Sequence, residues 1–114
     1  MNRYYETIII LTPVLSEEEI RKFYFEYKRY LINNNVSIIN KEKWGMKKLA
    51  YEIKKKLNGF FYLFFYKSEP TIISVLNNKL LQDERVLRFL TVKMNKYGVK
   101  YSLRKKNNKK YEKK

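Results

Sequence analysis

The sequence contains no cysteine and no histidine, and these two absences narrow its chemistry. Without cysteine the chain has no disulfide, no thiolate nucleophile and no thiolate metal ligand. Without histidine, a nucleophile would need lysine or a carboxylate as its base, and a metal would be held by carboxylates alone. The acidic residues do not supply such a site, because Glu17, Glu18 and Glu19 mark a helix start and Asp83 and Glu84 fall in a predicted turn. We therefore predict that the protein is not an enzyme and uses no metal or cofactor.

Glycine and proline are also scarce, with three and two residues, and long hydrophobic runs are absent from the sequence. The isolated Gly45, Gly59 and Gly98 exclude a glycine-rich phosphate loop. The apolar runs fall far short of the roughly 20 residues that cross a bilayer, and the N-terminal residues lack the pattern of a signal peptide. With hydrophobic residues at 45% of its 114 positions, the chain has the composition of one soluble, cytoplasmic, globular domain.

Acidic residues are few beside basic ones, since 11 Asp and Glu stand against 26 Lys and Arg, for a formal net charge of +15. Residues 96–114 carry nine of the basic side chains and one acidic one. We predict a folded domain at residues 1–95 and a basic, disordered tail at residues 96–114 that orders only when bound. A nucleic acid is the natural partner for this charge, because each neutralised phosphate releases counterions. A membrane surface, or no specific anion at all, is the alternative.

The first third of the chain predicts a strand followed by a helix. Residues 4–12 are rich in β-branched and aromatic residues, which favours a strand. Ser16 begins a helix in which Glu19 can complete a capping box, and residues 33–35, all asparagine, end it. Apolar residues at helical spacing form one face of this helix: Ile20, Phe23, Tyr24, Tyr27 and Leu31.

The middle of the chain predicts extended structure. Residues 36–43 and 46–53 are expected to be extended, with a bulge or bend at Gly45 between them. Asn58-Gly59 is a strong turn signal, so residues 46–66 predict a hairpin whose second arm is the aromatic segment FFYLFFY.

A second helix begins at Pro70, where the missing amide costs nothing, and residues 86–94 predict a last strand. The apolar face of this helix consists of Ile72, Ile73, Val75, Leu76 and Leu80. The order of elements is that of the ferredoxin-like α+β sandwich, βαββαβ, with a four-stranded antiparallel sheet and both helices on one face. Residues 8–11 and 60–66 are apolar on both sides, so we expect something outside the chain to cover the open face.

Residues alternate between the two faces of a strand, so the aromatic segment should divide into two sets. We expect Phe61, Leu63 and Phe65 to face the helices. We expect the other set to face the open side, because tyrosine hydroxyls prefer a partly polar setting. That set is Phe60, Tyr62, Phe64 and Tyr66, and the alternative is that all seven residues belong to the core.

The stretch NGFFYLFF also aligns with the octamer of RNA-recognition-motif domains, whose aromatic residues stack on bases. Asn58 and Phe61 do not fit the octamer, and the first strand has apolar residues 8–11 where a companion aromatic is needed. A free-standing RNA-binding domain of this type is therefore the alternative function.

Three segments resemble, in order and spacing, the bacterial small-subunit ribosomal protein six family: RYYETIIILTP, WGMKKLAYEIKKKLNGFFYLFFY and RVLRFLTVK. The resemblance covers Arg3 to Lys93. It implies a ferredoxin-like fold and a structural role in the small ribosomal subunit, with binding to the central domain of the ribosomal RNA together with small-subunit ribosomal protein eighteen. Glu52 departs from the proline usual in the family, and the lysine-rich end departs from the acidic tail of some members.

The resemblance and the charge together give candidate site residues. We expect phosphate contacts from Arg3, Lys43, Lys47, Lys48 and Lys93, with non-specific attraction from Arg104, Lys105 and Lys106 in the tail. The alternative for each is a solvated side chain. The protein partner is expected on Phe60, Tyr62, Phe64 and Tyr66. We expect neither a membrane nor a small-molecule substrate as a partner.

Overall fold

The computed structural model describes residues 2–94, in which four strands and two helices follow the predicted order. The elements are β1 (Arg3–Leu11), α1 (Glu17–Asn33), β2 (Ser37–Ile53), β3 (Lys56–Ser68), α2 (Pro70–Leu81) and β4 (Val86–Lys93). The strands form one antiparallel sheet in the order β2-β3-β1-β4. Buried residues of both helices belong to one core cluster with residues of the sheet, so both helices lie on one face. The predicted ferredoxin-like fold is confirmed. Neither helix is long and apolar enough to cross a membrane.

Helix α1 begins at the predicted capping box. The Ser16 hydroxyl accepts a hydrogen bond from the Glu19 amide at 3.2 Å, and the Glu19 carboxylate accepts one from the Ser16 amide at 2.8 Å. These two bonds satisfy amide groups that have no partner within the helix. The predicted apolar face packs on the sheet, with Ile20, Phe23, Tyr27 and Leu31 buried and Tyr24 half-buried.

Helix α2 begins at Pro70 as predicted, and Leu76 and Leu80 are its buried residues. Ile72 and Ile73 pack against the same core. The assignment of Val75 to the apolar face is wrong, since this side chain is 40% exposed. The residue before Leu76 is turned about 100° around the helix axis, which moves it to the edge of the buried stripe.

The β2–β3 hairpin turns at Lys54-Lys55, and the predicted turn at Asn58-Gly59 is wrong. Both turn residues have positive φ, at 49° and 65°, and Ile53 pairs directly with Lys56 in a two-residue hairpin loop. Asn58 and Gly59 lie inside β3.

Gly59 is required in β3 for close packing rather than for a turn. A Cβ atom at this position would overlap the Ile10 side chain and lie 3.5 Å from Leu49 Cδ2. The backbone of β3 therefore approaches its neighbours more closely there than a side chain would permit.

Strand β2 is continuous over 17 residues, where the sequence predicts two extended segments. The predicted irregularity at Gly45 is confirmed: its φ is +87°, and the pairing register with β3 shifts between Lys43 and Gly45. A further shift lies between Lys48 and Ile53. Such irregularities bend a strand.

The bent end of the hairpin packs on the second face of the sheet and forms a smaller core there. Leu49 and Ile53 of the hairpin are buried together with Leu87 of β4, and Ile10 and Phe61 pack against them. The chain itself therefore covers part of the face that was expected to need an outside partner.

Candidate functional site

The facing of β3 is the reverse of the prediction. Tyr62, Phe64 and Tyr66 belong to the core cluster beneath the helices, and Phe60 packs against it. Phe64 and Tyr66 are fully buried, and the Tyr62 ring stacks on the Tyr24 ring of α1 with centroids 5.3 Å apart. The assignment of these four strand residues to the open face is therefore wrong. Because they lie under the helices, they do not form a surface for a protein partner.

The Tyr66 hydroxyl is accommodated in the core by a chain of hydrogen bonds. Tyr66 Oη lies 2.8 Å from Thr7 Oγ1, which lies 2.9 Å from Thr91 Oγ1. Thr91 donates to Asn77 Oδ1 at 3.0 Å, so its single proton is used. Thr7 must then donate to Thr91, and Tyr66 must donate to Thr7. Burial raises the pKa of the Tyr66 hydroxyl, and its threonine partners offset part of the rise.

The open face carries the other set of β3 residues, namely Phe61, Leu63 and Phe65. Phe65 stacks on Tyr4 of β1 with centroids 6.0 Å apart, and Phe61 stacks on Trp44 of β2 at 6.3 Å. Rings of the chain itself therefore occupy the positions where an RNA-recognition motif would stack bases. This geometry gives no support to the alternative function.

Apolar surface remains near the β4 edge of the open face. Leu90 pairs with the half-buried Ile8 of β1, so the two side chains share a face. Leu90 is 58% exposed, and Val92, two residues further on the same face, is 43% exposed. We call Ile8, Leu90 and Val92 the open-face patch.

The predicted phosphate-binding residues that the structure describes are all exposed, and they form two groups. Arg3 and Lys93 lie at the same end of the sheet, where Arg3 pairs with Ser68 and Lys93 pairs with Tyr5. Lys43, Lys47 and Lys48 lie on the edge strand β2. Because Lys43 pairs with Tyr62, six residues from Ser68, the groups are roughly 20 Å apart along β3. Arg104, Lys105 and Lys106 lie outside the described residues.

A second basic surface, on α1, was not among the predicted sites. Phe25 is 58% exposed, and all four of its neighbours one helical turn away are basic: Arg21, Lys22, Lys28 and Arg29. The signal for it was present in the sequence as a basic residue at each i±3 and i±4 position around an aromatic residue that lies outside the apolar stripe. Within residues 2–94, no cluster of acidic side chains could hold a metal ion.

Comparison with known proteins assigns the chain to a family. A profile of the family described as ribosomal protein S6 matches residues 4–93. Small ribosomal subunit protein bS6 of Azobacteroides pseudotrichonymphae is 46% identical over 107 residues, which cover 94% of this chain and 95% of that protein. The bS6 protein of Phocaeicola vulgatus is 47% identical, with 94% and 93% covered.

The fold agrees with these sequence matches. The crystal structure of 30S ribosomal protein S6 from Thermotoga maritima superposes with a TM-score of 0.79 at 26% identity, covering 97% of this chain and 99% of that one. Since the profile spans all six elements of the fold, the chain belongs to the ribosomal protein S6 family, whose members are structural proteins of the small ribosomal subunit and not enzymes.

Proposed function

We propose that the protein is a structural component of the small ribosomal subunit in the bacterial cytoplasm. There it binds the central domain of the small-subunit ribosomal RNA together with small-subunit ribosomal protein eighteen. The observation that carries the proposal is the family match over residues 4–93, which includes every strand and helix of the fold. The geometry supports a division of the surface between a protein partner and RNA.

The protein partner binds the open face of the sheet at the open-face patch. Its support is that Leu90 and Val92 are exposed apolar side chains on an edge strand, beside the half-buried Ile8. Apolar side chains on the opposite face of the sheet are packed under the helices. A partner that covers the patch would remove exposed apolar area from water, at about 25 cal/mol for each Å².

The RNA contacts Arg3, Lys43, Lys47, Lys48 and Lys93 through its phosphates. Support comes from their exposure and from their charge: among residues 2–94 the ion pairs within 4.0 Å are those of Arg85, so none of these five cations is paired with another residue in that range. The basic residues Arg104, Lys105 and Lys106 add non-specific attraction. Contacts of this kind position a protein on RNA and do not select a sequence.

Co-sedimentation tests the proposed function. Ribosomal subunits are separated from cells that express the tagged, full-length protein, before and after a high-salt wash. We expect the protein to migrate with small subunits and to remain there together with ribosomal protein eighteen. Recovery of the protein with messenger RNA alone would overturn the proposal and favour a free-standing RNA-binding domain.

A further inference from the structure

The outward surface of α1 has the composition of a binding site and lies outside the buried stripe of the helix. Phe25 lies on the side of the helix opposite the buried stripe of Ile20, Phe23, Tyr27 and Leu31. Its ring touches the chain edge-on, against Tyr24, with centroids 5.4 Å apart and planes at 67°. Burial therefore does not explain why a large aromatic residue stands at this position.

Four cations surround Phe25, although Glu18 lies one helical turn before Arg21 and Lys22. Residues three and four positions apart on a helix have Cβ atoms about 5–6 Å apart, and here these positions hold Arg21, Lys22, Lys28 and Arg29. Glu26 could pair with Lys22 or Arg29, but its carboxylate instead accepts a hydrogen bond from Arg85 at 2.9 Å. None of the four has an ion pair within 4.0 Å in the described part of the chain. The two basic pairs lie about 10.5 Å apart along the helix axis, one on each side of Phe25, so an anion bound over the ring would be within reach of both.

An anion that also offers flat apolar surfaces satisfies both features. Unpaired RNA has phosphates to neutralise cations and bases that stack on aromatic rings, whereas bases in a duplex are already stacked on one another. We propose that the outward surface of α1 binds an unpaired segment of RNA, with one base on Phe25 and phosphates beside the four flanking cations. This inference rests on the proposed ribosomal function and adds a contact that the open sheet face does not provide. Because α1 covers the opposite side of the sheet, RNA and a protein partner can be bound at the same time.

Site-specific photo-crosslinking in assembled small subunits tests the inference. A photoreactive phenylalanine derivative replaces Phe25 in the full-length protein, and in a matched control it replaces Leu81, an exposed apolar residue at the end of α2. We expect a crosslink to ribosomal RNA from position 25, at least about fivefold above that from position 81. Crosslinks to protein alone would overturn the RNA assignment and favour a protein partner on α1.

The same experiment separates this inference from the proposed function. If the labelled protein sediments with small subunits but gives no crosslink from position 25, the inference fails and the proposed function stands. If the protein does not sediment with small subunits at all, the proposed function fails, and the inference that rests on it fails as well.

The contribution of each side chain to RNA affinity is measured by binding of a fluorescein-labelled single-stranded oligoribonucleotide to the purified protein. We expect Phe25→Ala to weaken binding about tenfold and Phe25→Trp to retain it, since a ring is needed to stack on a base. Replacing the four cations with Gln should lower the salt slope of the binding constant by about 0.7 for each phosphate that is no longer neutralised, while Arg21→Lys and Arg29→Lys leave it unchanged. Equal affinities for the wild type and Phe25→Ala would show that no base stacks on Phe25 and would overturn the proposal.

Discussion

Arg88 on β4 donates a hydrogen bond of 3.1 Å to the Tyr51 hydroxyl on β2, and its guanidinium carbon lies 5.9 Å from the centre of the Tyr51 ring. These strands are the two edges of the sheet, so the contact crosses the whole open face. It can form because the bent hairpin places Leu49 and Ile53 over Ile10, within reach of β4. The contact fastens the hairpin onto the face that it partly covers.

Arg88→Ala should release the hairpin without unfolding the protein. Both side chains are exposed, so the cation–π contact and the hydrogen bond together contribute about 1 kcal/mol or less. We expect amide hydrogens of the hairpin to exchange faster, while those of the central strand β1 keep their protection. A matched control is Lys79→Ala, which removes a cation 5.0 Å from the Tyr30 ring on the helix face. Unchanged exchange in the Arg88 variant would assign the hairpin's position to Leu49 and Ile53 alone.

The hydrogen-bonded chain Tyr66–Thr7–Thr91–Asn77 should behave as a unit. Thr7→Val removes the acceptor of the buried Tyr66 hydroxyl, which should lower the free energy of unfolding by about 1–3 kcal/mol. Tyr66→Phe leaves the Thr7 donor satisfied by Thr91 and should cost about 1 kcal/mol. In the double variant the loss should be smaller than the sum of the two, because neither side of the broken bond is left unpaired. Urea unfolding measures all three values, and additive losses would contradict the coupling.

Tyr27→Phe should raise the free energy of unfolding, whereas the variants of the Tyr66 chain lower it. The Tyr27 hydroxyl is buried and has no hydrogen-bond partner among residues 2–94, and burial raises its pKa far above the usual range. Burying a hydroxyl without a hydrogen bond costs free energy, so removing this oxygen should raise the free energy of unfolding by up to about 1 kcal/mol. Tyr66→Phe is the matched comparison, since it deletes the same atom from a core tyrosine that has a partner. A loss of stability in Tyr27→Phe would reveal a water bound to the hydroxyl.

The sequence was sufficient for the order of elements because their signals are local. The capping box from Ser16 to Glu19, the proline at the start of α2 and the helical spacing of Ile20, Phe23, Tyr27 and Leu31 each specify a boundary or a face within a few residues. The sheet order then follows from the chirality of the two crossovers.

The facing of β3 depends on distant parts of the chain, and this explains the wrong prediction. A strand that is apolar on both sides has no period-two contrast, so its pattern does not specify which set lies under the helices. The Tyr66 hydroxyl bonds to Thr7, which lies 59 residues earlier in the sequence, and Thr7 bonds in turn to Thr91 on β4. No local pattern indicates either contact. Likewise, Gly59 is explained by its approach to Ile10, a contact made across strands, and not by its place beside Asn58.

Acidification should weaken the ion pair between Asp83 and Arg85 within the α2–β4 turn. Burial acts to raise the pKa of the Asp83 carboxyl, but the hydrogen bonds and charge of Arg85 outweigh it and hold the pKa below its ordinary value. The stabilisation is therefore present above the unfolded pKa of about 3.9 and is lost as the pH falls through the lower folded value. Because the pair is partly exposed, we expect about 1 kcal/mol or less.

Urea unfolding of Asp83→Asn at pH 7 and at lower pH measures this contribution. The variant should be less stable than the wild type at pH 7, and the difference should shrink below about pH 4. Glu19→Gln is the control for a second acid-sensitive contact. The capping box on α1 lowers the pKa of Glu19, so this variant measures the acid dependence that does not come from Asp83. A difference that stays constant with pH would remove the ionised carboxylate as its cause.

Introducing negative charge into the open-face patch should separate association from folding. Leu90→Asp combined with Val92→Asp places carboxylates on two exposed positions of an edge strand, so unfolding should change by about 1 kcal/mol or less. Binding to purified ribosomal protein eighteen, the proposed partner, should weaken at least about tenfold, because each new carboxylate would be buried in the interface without a counter-charge. Leu81→Asp, at an exposed apolar site on α2, is the matched control. If that control weakens binding and the Leu90 and Val92 variant does not, the partner lies on the helix layer, where it would compete with RNA for the surface around Phe25.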